Sequence, residues 1–228
     1  MRADLLRDAA TGLLDLVFPL RCAGCRRGGT AWCRTCAGEL GGLRRVDRPL
    51  FTGEVPVYAL GRYRRAARRA VLAFKESGQR HLAEPLGQQL GTGLRALADQ
   101  VGLEGRCCLV PAPSKAIAAR RRGGPHVLRL ADRTASALVV RGWQVEVADC
   151  LVTDRSAADS TDLDAPERVK NLAGRVLVRS GRLPASGWPV VLLDDVVTTG
   201  ATVAECLRVL LASGFDVRAA LSLTSTSG

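Results

Sequence analysis

The sequence is most constrained by the stretch 190–203, in which an aliphatic run, two aspartates, a hydroxyl-rich turn and a helical pattern follow one another. The aliphatic residues 190–193 come directly after Gly-Trp-Pro and include two valines, so they predict a short buried strand. Apolar residues recur at helical spacing through 203–212, which predicts a helix. The stretch therefore predicts a strand–turn–helix unit with Asp194 and Asp195 at the end of the strand.

The turn between this strand and this helix is suited to bind an anion. Backbone N–H groups at a helix start have no partner within the helix and carry partial positive charge, so a phosphate fits there. Glycine lets the main chain approach such a ligand closely, and threonine hydroxyls add donors or cap the helix, as Thr199 or Thr202 can do here. The candidate phosphate-binding residues are Thr198, Thr199, Gly200, Ala201 and Thr202.

The two carboxylates need a different partner, because they repel a phosphate. Two carboxylates at the end of a buried strand are costly to keep unless they meet hydroxyl groups or a metal ion. A sugar phosphate meets both requirements, with ribose hydroxyls at Asp194 and Asp195 and the 5′-phosphate in the turn. The alternative is an ordinary strand–helix unit whose Thr-Gly is only a turn. The motifs G-x-x-x-x-G-K-[ST] and, after a strand, G-x-G-x-x-G are absent, which disfavours other common nucleotide loops.

This stretch resembles the ribose-phosphate binding motif of type I phosphoribosyltransferases, which bind phosphoribosyl pyrophosphate (PRPP). The resemblance implies that Asp194 and Asp195 are the catalytic pair, close to the sugar C1 where positive charge develops as pyrophosphate leaves. It also implies a Mg²⁺ ion that bridges pyrophosphate and ribose oxygens, since magnesium favours phosphates with few carboxylates. Nearby cations would stabilise the leaving group.

Four of the eight cysteines form two C-x-x-C pairs near the N-terminus, Cys22 with Cys25 and Cys33 with Cys36. Each pair directs two thiolates to one side of a tight turn, and two such pairs supply the four sulfur ligands that suit a structural zinc ion. All four positions are protein ligands, so the site would stabilise a segment too short for its own core. Two redox pairs or a coincidental spacing are the alternatives.

The net charge of +11 favours anionic partners, such as nucleic acid, phosphorylated metabolites or acidic surfaces. A general bias of the composition towards Arg, Ala, Gly, Leu and Val explains the charge equally well. No apolar stretch reaches the roughly 18 residues that a membrane span needs. Aspartates interrupt the first predicted helix, 1–18, which is therefore amphipathic rather than a signal peptide. These features predict a cytoplasmic protein.

Strands and helices alternate from residue 57 onward, which predicts an α/β fold with a mostly parallel sheet covered by helices on both faces. Further strands are predicted at 57–60, 107–110, 145–152, 176–178 and 219–224. Further helices are predicted at 66–77, 81–99 and 125–140.

Ligands of such sheets bind at the carboxyl ends of the strands. Lys115 and Arg122 follow the strand 107–110, so they are candidates to bind pyrophosphate if that strand neighbours the one before Asp194. The segment 155–164 is small, polar and acidic, which is typical of a mobile loop.

The full arrangement is similar to the ComF/GntX family of phosphoribosyltransferase-like proteins. Supporting segments are 74–78, 110–113, 121–123, 159–163 with Arg168 and 171–172, and 194–202. The resemblance implies an α/β sheet of type I phosphoribosyltransferase type, preceded by a small four-cysteine zinc finger. The implied domains are 1–50, the N-terminal helix and zinc finger, and 51–228, the phosphoribosyltransferase-like domain.

The resemblance implies binding of PRPP or a related ribose phosphate, and an association with competence and DNA uptake. Implied partners are ribose 5-phosphate compounds and, beyond them, single-stranded DNA or competence proteins. The chain departs from the family pattern at two places. Gly124 and Pro125 replace an aromatic residue and Asn or Asp, and no basic residue lies between Arg155 and Arg168. The second departure favours binding over catalysis. A non-catalytic DNA- or protein-binding factor that retains the nucleotide site is therefore the alternative to a phosphoribosyltransferase.

Overall fold

Eight strands and five α-helices make up the part of the chain that the computed structural model describes, which is residues 20–114, 124–153 and 176–226. The strands are β1 (Arg44–Arg45), β2 (Val57–Arg62), β3 (Arg106–Pro111), β4 (Gln144–Val147), β5 (Leu151–Thr153), β6 (Val176–Val178), β7 (Val190–Val197) and β8 (Val217–Ser225). The α-helices are α1 (Arg34–Ala37), α2 (Arg65–Lys75), α3 (Ala83–Val101), α4 (His126–Val139) and α5 (Ala201–Ala212), and short 3-10 turns lie at Gly38–Leu40 and Arg80–Leu82.

Six strands form one sheet in the order β1-β2-β8-β7-β3-β4, and β5 and β6 form a separate antiparallel pair. All neighbours in the large sheet are parallel except β1 and β2. The mixed α/β architecture with a mostly parallel sheet confirms the predicted fold class. Strand β7 lies between β3 and β8, with Leu193 in register with Pro111 and Leu221. The strand before Lys115 is therefore a direct neighbour of the strand that carries the acidic pair.

Helices cover both faces of the sheet. On one face α2, α3 and α4 bury apolar residues against alternate positions of β3, β7 and β8, and the leucines of α3 are fully buried at Leu86, Leu90, Leu94 and Leu97. On the other face α5 packs against the intervening positions of the same strands. Three cysteines of the N-terminal pairs, Cys22, Cys33 and Cys36, belong to the first core, together with α2 and β2. The cysteine segment is thus packed on the helix α2 side of the sheet.

Three of the differences between predicted and observed boundaries matter most for the site. The predicted strand 145–152 is two strands, because the chain turns after β4 and Arg179 N–H bonds to the carbonyl of Cys150, which pairs β5 with β6. Strand β7 continues to Val197 and therefore includes both aspartates. Helix α5 begins at Ala201, two residues earlier than predicted.

The predicted helix 1–18 and the predicted mobile loop 155–164 lie outside the described residues. Within the described ranges, no helix has the length and the apolar character needed to cross a membrane.

Candidate ribose-phosphate site

The acidic pair lies at the carboxyl end of β7, and its two side chains point to opposite faces of the sheet. Leu193 and Asp195 share the face covered by α2, α3 and α4, whereas Leu192 and Asp194 share the face covered by α5. Asp194 is 8% exposed and Asp195 is 3% exposed. The two neighbouring carboxylates therefore have different surroundings.

Asp195 is held by two basic side chains. Lys75 Nζ and His126 Nε2 each lie 2.9 Å from the same oxygen, Oδ2, while Oδ1 accepts the backbone N–H of Val196 at 2.8 Å. Lys75 is the last residue of α2 and His126 is the first residue of α4, so three elements converge on one carboxylate. Burial opposes ionisation, but the hydrogen bond from His126 and the charge of Lys75 lower the pKa of Asp195 below its usual range.

The second nitrogen of His126 faces the loop after β3. His126 Nδ1 lies 3.4 Å from Ser114 Oγ, and the ring of Phe74 meets the imidazole edge-on with ring centres 6.1 Å apart. Ser114 also borders a cavity of about 260 Å³ between this loop, Asp149 and Arg179. His126 therefore connects the carboxylate to a hydroxyl at the rim of an open space.

Within the described part of the chain, no cation lies within ion-pair distance of Asp194. Its Oδ1 accepts the backbone N–H of Asp195 at 2.8 Å. Burial, followed by the charge of Asp195, raises the pKa of Asp194 well above its ordinary value. One member of the pair thus favours the ionised form and the other favours the protonated form.

The turn after β7 has the backbone expected for a loop that meets a helix start. Gly200 is in the left-handed region, with φ +85°, and is the residue that precedes the first turn of α5. Neither threonine has the predicted capping role: Thr202 lies inside α5, and Thr199 Oγ1 only accepts the N–H of Ala201 at 3.4 Å. Thr198 and Thr199 are exposed. Besides the amide of Ala201, those of Thr202 and Val203 have no acceptor within the helix, which suits them to bind an anion.

Arg48, in the segment between β1 and β2, holds this turn from outside. Its Nε donates to the carbonyl of Thr198 at 2.8 Å, and its Nη2 donates to the carbonyl of Thr226 at 2.6 Å. A Cβ at Gly200 would lie 2.8 Å from the ring of Phe51 and 3.1 Å from Arg48 Cγ. Gly200 is thus required by this packing as well as by its left-handed backbone.

The four N-terminal cysteines form a second site, apart from the acidic pair. Their sulfur atoms all lie within 4.8 Å of one another, which allows them to hold one metal ion. Burial opposes ionisation of Cys22, but backbone N–H groups, including that of Cys33 at 3.4 Å, lower its pKa to about 6. Burial and the neighbouring thiols raise the pKa of Cys36. A bound metal ion would displace the thiol protons, because cysteine binds a metal as the thiolate.

Glycine is required inside the first C-x-x-C pair. A Cβ at Gly24 would lie 2.6 Å from Cys36 Sγ and 2.8 Å from the Cβ of Ala66 in α2. Arg69, also in α2, donates to the carbonyl of Gly24. The cysteine cluster therefore packs directly on the helix that ends at Lys75.

The structure places the predicted site residues of the stretch 194–202 together, from the end of β7 to the first turn of α5. The predicted ligands Lys115 and Arg122 lie outside the described residues. Sequence reasoning did not assign Lys75, His126 or Arg48 to the site.

A topological signal existed for only one of these three residues. His126 begins the helix that follows β3, and a helix after a parallel strand starts near the carboxyl edge of the sheet. Lys75 and Arg48 had no such signal, because spacing does not give the direction of a helix axis or the path of a connecting segment.

Comparison with known proteins gives partial matches. No protein-family model matches the chain. A stretch of 69 residues, 30% of the chain, is 36% identical to a ribose-phosphate pyrophosphokinase from Methanosarcina acetivorans, and this match spans about a quarter of that protein, 24% of its length.

Two solved structures also align with the chain. An adenine phosphoribosyltransferase aligns with 84% of the chain and 90% of its own length, at a TM-score of 0.37 and 12% identity. The enzyme from Saccharomyces cerevisiae, in complex with adenine and an imino-altritol bisphosphate, aligns with 85% of the chain and 89% of its own length, at a TM-score of 0.36 and 12% identity. Alignments with TM-scores this low do not establish a common fold.

Proposed function

We propose that this protein binds PRPP or a related ribose 5-phosphate through the stretch 194–202. The observation that carries the proposal is the contiguous arrangement of a buried acidic pair, a left-handed Gly200 and the first turn of α5 at the carboxyl end of β7. The local identity to a ribose-phosphate pyrophosphokinase is consistent with this ligand class.

The phosphate of the ligand would lie on the amides at the start of α5. These amides are positively polarised, and the Thr198 and Thr199 hydroxyls are exposed beside them. Arg48 holds the carbonyl of Thr198 at 2.8 Å, which restricts the conformations of the loop. Binding then needs little reorganisation of the loop.

The ribose hydroxyls would meet the acidic pair where acceptor positions remain. Asp195 Oδ2 is occupied by Lys75 and His126, so a hydroxyl would bond to Oδ1, beside the N–H of Val196. Asp194 Oδ2 offers a second acceptor. Lys75, whose side chain is 30% exposed, would also contact the pyrophosphate group, a role that the sequence assigned to Lys115 and Arg122.

Phosphoribosyl transfer is the reaction that this arrangement supports best. An ionised Asp195 would stabilise the positive charge that develops at C1, and Lys75 would stabilise the departing pyrophosphate. Mg²⁺ would bind together with PRPP and neutralise phosphate charge, because this ion favours phosphate oxygens with few protein carboxylates. The acceptor that receives the ribosyl group is not specified by these residues.

The cysteine cluster of Cys22, Cys25, Cys33 and Cys36 would bind a structural zinc ion. Four sulfur ligands within 4.8 Å of one another suit tetrahedral zinc. Since all four positions are filled by the protein, this ion would stabilise the packing of the N-terminal segment on α2 and take no part in the transfer reaction.

The second candidate is a ComF-like, non-catalytic role in which the nucleotide site is retained and a partner such as single-stranded DNA or a competence protein is bound elsewhere. The dense arginine surface around β1 and β2 favours this candidate. Both candidates require ligand binding at 194–202, and they differ in whether pyrophosphate is released.

Calorimetric titration with Mg²⁺ and PRPP tests binding, using Thr199→Glu with Thr199→Gln as its control. Thr199 is exposed, so both variants should fold. A new negative charge beside the phosphate should weaken PRPP binding by roughly 30-fold, while the neutral, equally large glutamine should have a much smaller effect. Equal affinity of the Glu variant and the wild type would refute the proposed phosphate position. Pyrophosphate release in the presence of candidate acceptors separates the transferase from the non-catalytic factor.

A further inference from the structure

Two neighbouring cavities at the edge of the sheet are lined mainly by arginine. The first, about 260 Å³, lies between the 3-10 turn Gly38–Leu40, β2 and the start of α2. Its arginines are Arg44, Arg62, Arg64 and Arg65. The second, about 220 Å³, lies between β1 and the end of β8, and its arginines are Arg44, Arg45, Arg48 and Arg62. Arg44 and Arg62 line both cavities, so the six arginines form one continuous surface, here called the arginine groove.

The two carboxylates that line the groove already have other partners. The cavities include two acidic residues, Glu39 and Asp47. Glu39 accepts the backbone N–H of Ala67 in α2 at 3.1 Å, and Asp47 lies 3.5 Å from Arg45. Six guanidinium groups therefore face only two carboxylates, and neither carboxylate pairs with the four arginines of the first cavity.

The four arginines of the first cavity, Arg44, Arg62, Arg64 and Arg65, lack a carboxylate within ion-pair distance among the described residues. Elsewhere in the described chain several exposed arginines do have one, namely Arg133, Arg179, Arg208 and Arg218. A general arginine bias of the composition accounts for the number of arginines, but it does not account for unpaired ones converging on one cavity.

The backbone at the groove is also unusual. Arg65 has φ +46°, a left-handed conformation that is uncommon for a residue with a side chain, and it begins α2 there. Such conformations cost free energy and are concentrated at binding sites. Arg64 and Arg65 thus enter the groove side by side at a helix start that has no acidic residue in its first turn.

We infer that the arginine groove binds a chain of consecutive phosphate groups. A guanidinium group presents two parallel N–H donors that match two phosphate oxygens, and the two joined cavities accommodate more than one phosphate. Single-stranded nucleic acid and inorganic polyphosphate share this chemistry. The arginines of the groove lie outside the stretch 194–202, and Arg48 contacts that stretch through its bond to Thr198.

The test measures fluorescence anisotropy of a labelled oligothymidylate of about a dozen nucleotides with the full-length protein over a range of salt concentrations. For single strands the logarithm of the affinity falls with the logarithm of salt by about 0.7 per phosphate contact. Arg62→Gln/Arg64→Gln should weaken binding roughly tenfold at moderate salt and reduce this slope by about 1.4. Both side chains are exposed, so the variant should keep the melting temperature of the wild type.

The matched control is Arg95→Gln/Arg106→Gln, which removes the same charge from exposed positions outside the groove. Arg95 lines a cavity with Asp99 and Glu104, and Arg106 begins β3 at the opposite end of the sheet strands. The inference is overturned if both double variants weaken binding equally, or if the wild type shows no binding of either phosphate chain.

Competition with unlabelled polyphosphate distinguishes the two sources of phosphate. Displacement of the oligonucleotide at an equal phosphate concentration, lost in Arg62→Gln/Arg64→Gln, supports the groove and identifies polyphosphate as a ligand. Resistance to polyphosphate, with the groove variant still impaired, assigns the groove to nucleic acid. Titration of the same variant with Mg²⁺ and PRPP should give the wild-type affinity, so that failure of the groove and failure of the ribose-phosphate site are separable.

Discussion

The cysteine cluster and the acidic pair are two polar sites of one molecule that are assembled in different ways. All four sulfur ligands come from one short segment, and the spacing of the two C-x-x-C pairs already brings them together. Asp195, in contrast, takes its partners Lys75 and His126 from the ends of two helices that are distant in sequence. A site within one segment can be predicted from spacing alone, whereas a site between segments depends on the packing of the whole domain.

Helix α2 connects the two sites. Arg69 of α2 donates to the carbonyl of Gly24 in the cysteine segment, and Lys75 at the end of the same helix contacts Asp195. Damage to the cysteine cluster should therefore loosen the helix that supplies a partner to the carboxylate, while damage to the carboxylate should leave the cluster intact.

The largest effect is expected for Cys36→Ser. Cys36 is buried, is a member of the cluster and packs against Gly24, so its loss should abolish stoichiometric zinc binding and destabilise the fold by about 5 kcal/mol, a part of the free energy that a structural zinc ion contributes. Metal analysis and thermal unfolding check this. Cys150→Ala is the control, because Cys150 is a fully buried thiol outside the cluster, and burial raises its pKa to about 11. A Cys36→Ser protein with full zinc content would contradict the assignment.

A smaller loss, about 3 kcal/mol, is expected for Asp195→Asn, because it leaves two basic groups beside a neutral amide. The lowered pKa of Asp195 means that its stabilising contribution is present above the ordinary carboxyl pKa near 4 and is lost as the pH falls towards the lowered folded-state pKa. Urea unfolding at several pH values should therefore show a flatter acid limb in the variant than in the wild type.

The control for Asp195→Asn is Asp216→Asn, which breaks an ion pair with Arg218 whose side chains are 43% and 47% exposed. Exposed pairs contribute about 0.5 kcal/mol, so this variant should resemble the wild type. Equal losses in the two variants would show that the bonds to Lys75 and His126 do not stabilise the fold. Zinc content should be unchanged in both.

The same division between local and distant contacts explains what the sequence could predict. The alternation of strands and helices predicted the parallel sheet, an aliphatic run predicted β7, and helical spacing of apolar residues predicted α5, since each depends on a contiguous pattern. These patterns did not predict the break between β4 and β5. The N–H of Arg179 bonds to the carbonyl of Cys150 where β5 pairs with β6, and no local pattern links these two residues.

The candidate site shows the same limit. The stretch 194–202 was identified from its own residues, but Lys75, His126 and Arg48 reach it only through tertiary packing. Sequence reasoning also assigned one environment to the two aspartates. Their side chains lie on opposite faces because successive residues of a strand alternate. This alternation could have predicted two different environments for the two aspartates.

A more modest effect, on ligand affinity rather than on folding, is expected for Arg48→Gln. This change removes the donors to the carbonyls of Thr198 and Thr226, so the loop gains freedom that binding must restrict again. PRPP affinity should fall roughly tenfold, the equivalent of about 1.4 kcal/mol. Calorimetry with Mg²⁺ and PRPP measures the change in affinity. Arg45→Gln is the control, because this substitution removes the same charge from the groove at a residue that does not contact the loop. Equal losses would assign the effect to charge alone.

The smallest effect on stability is expected for Asp194→Asn, although Asp194 is adjacent to Asp195. The pKa of Asp194 is raised, so its contribution is fully present below the ordinary carboxyl pKa and is lost as the pH rises towards the folded-state value. Asparagine imitates the protonated form, and the variant should therefore be within about 0.5 kcal/mol of the wild type near pH 4, with a relative gain as the pH increases. Urea unfolding of the two single variants side by side measures this. Similar losses for Asp194→Asn and Asp195→Asn at neutral pH would mean that the two carboxylates share one environment, and the distinction between an ionised and a protonated member of the pair would be wrong.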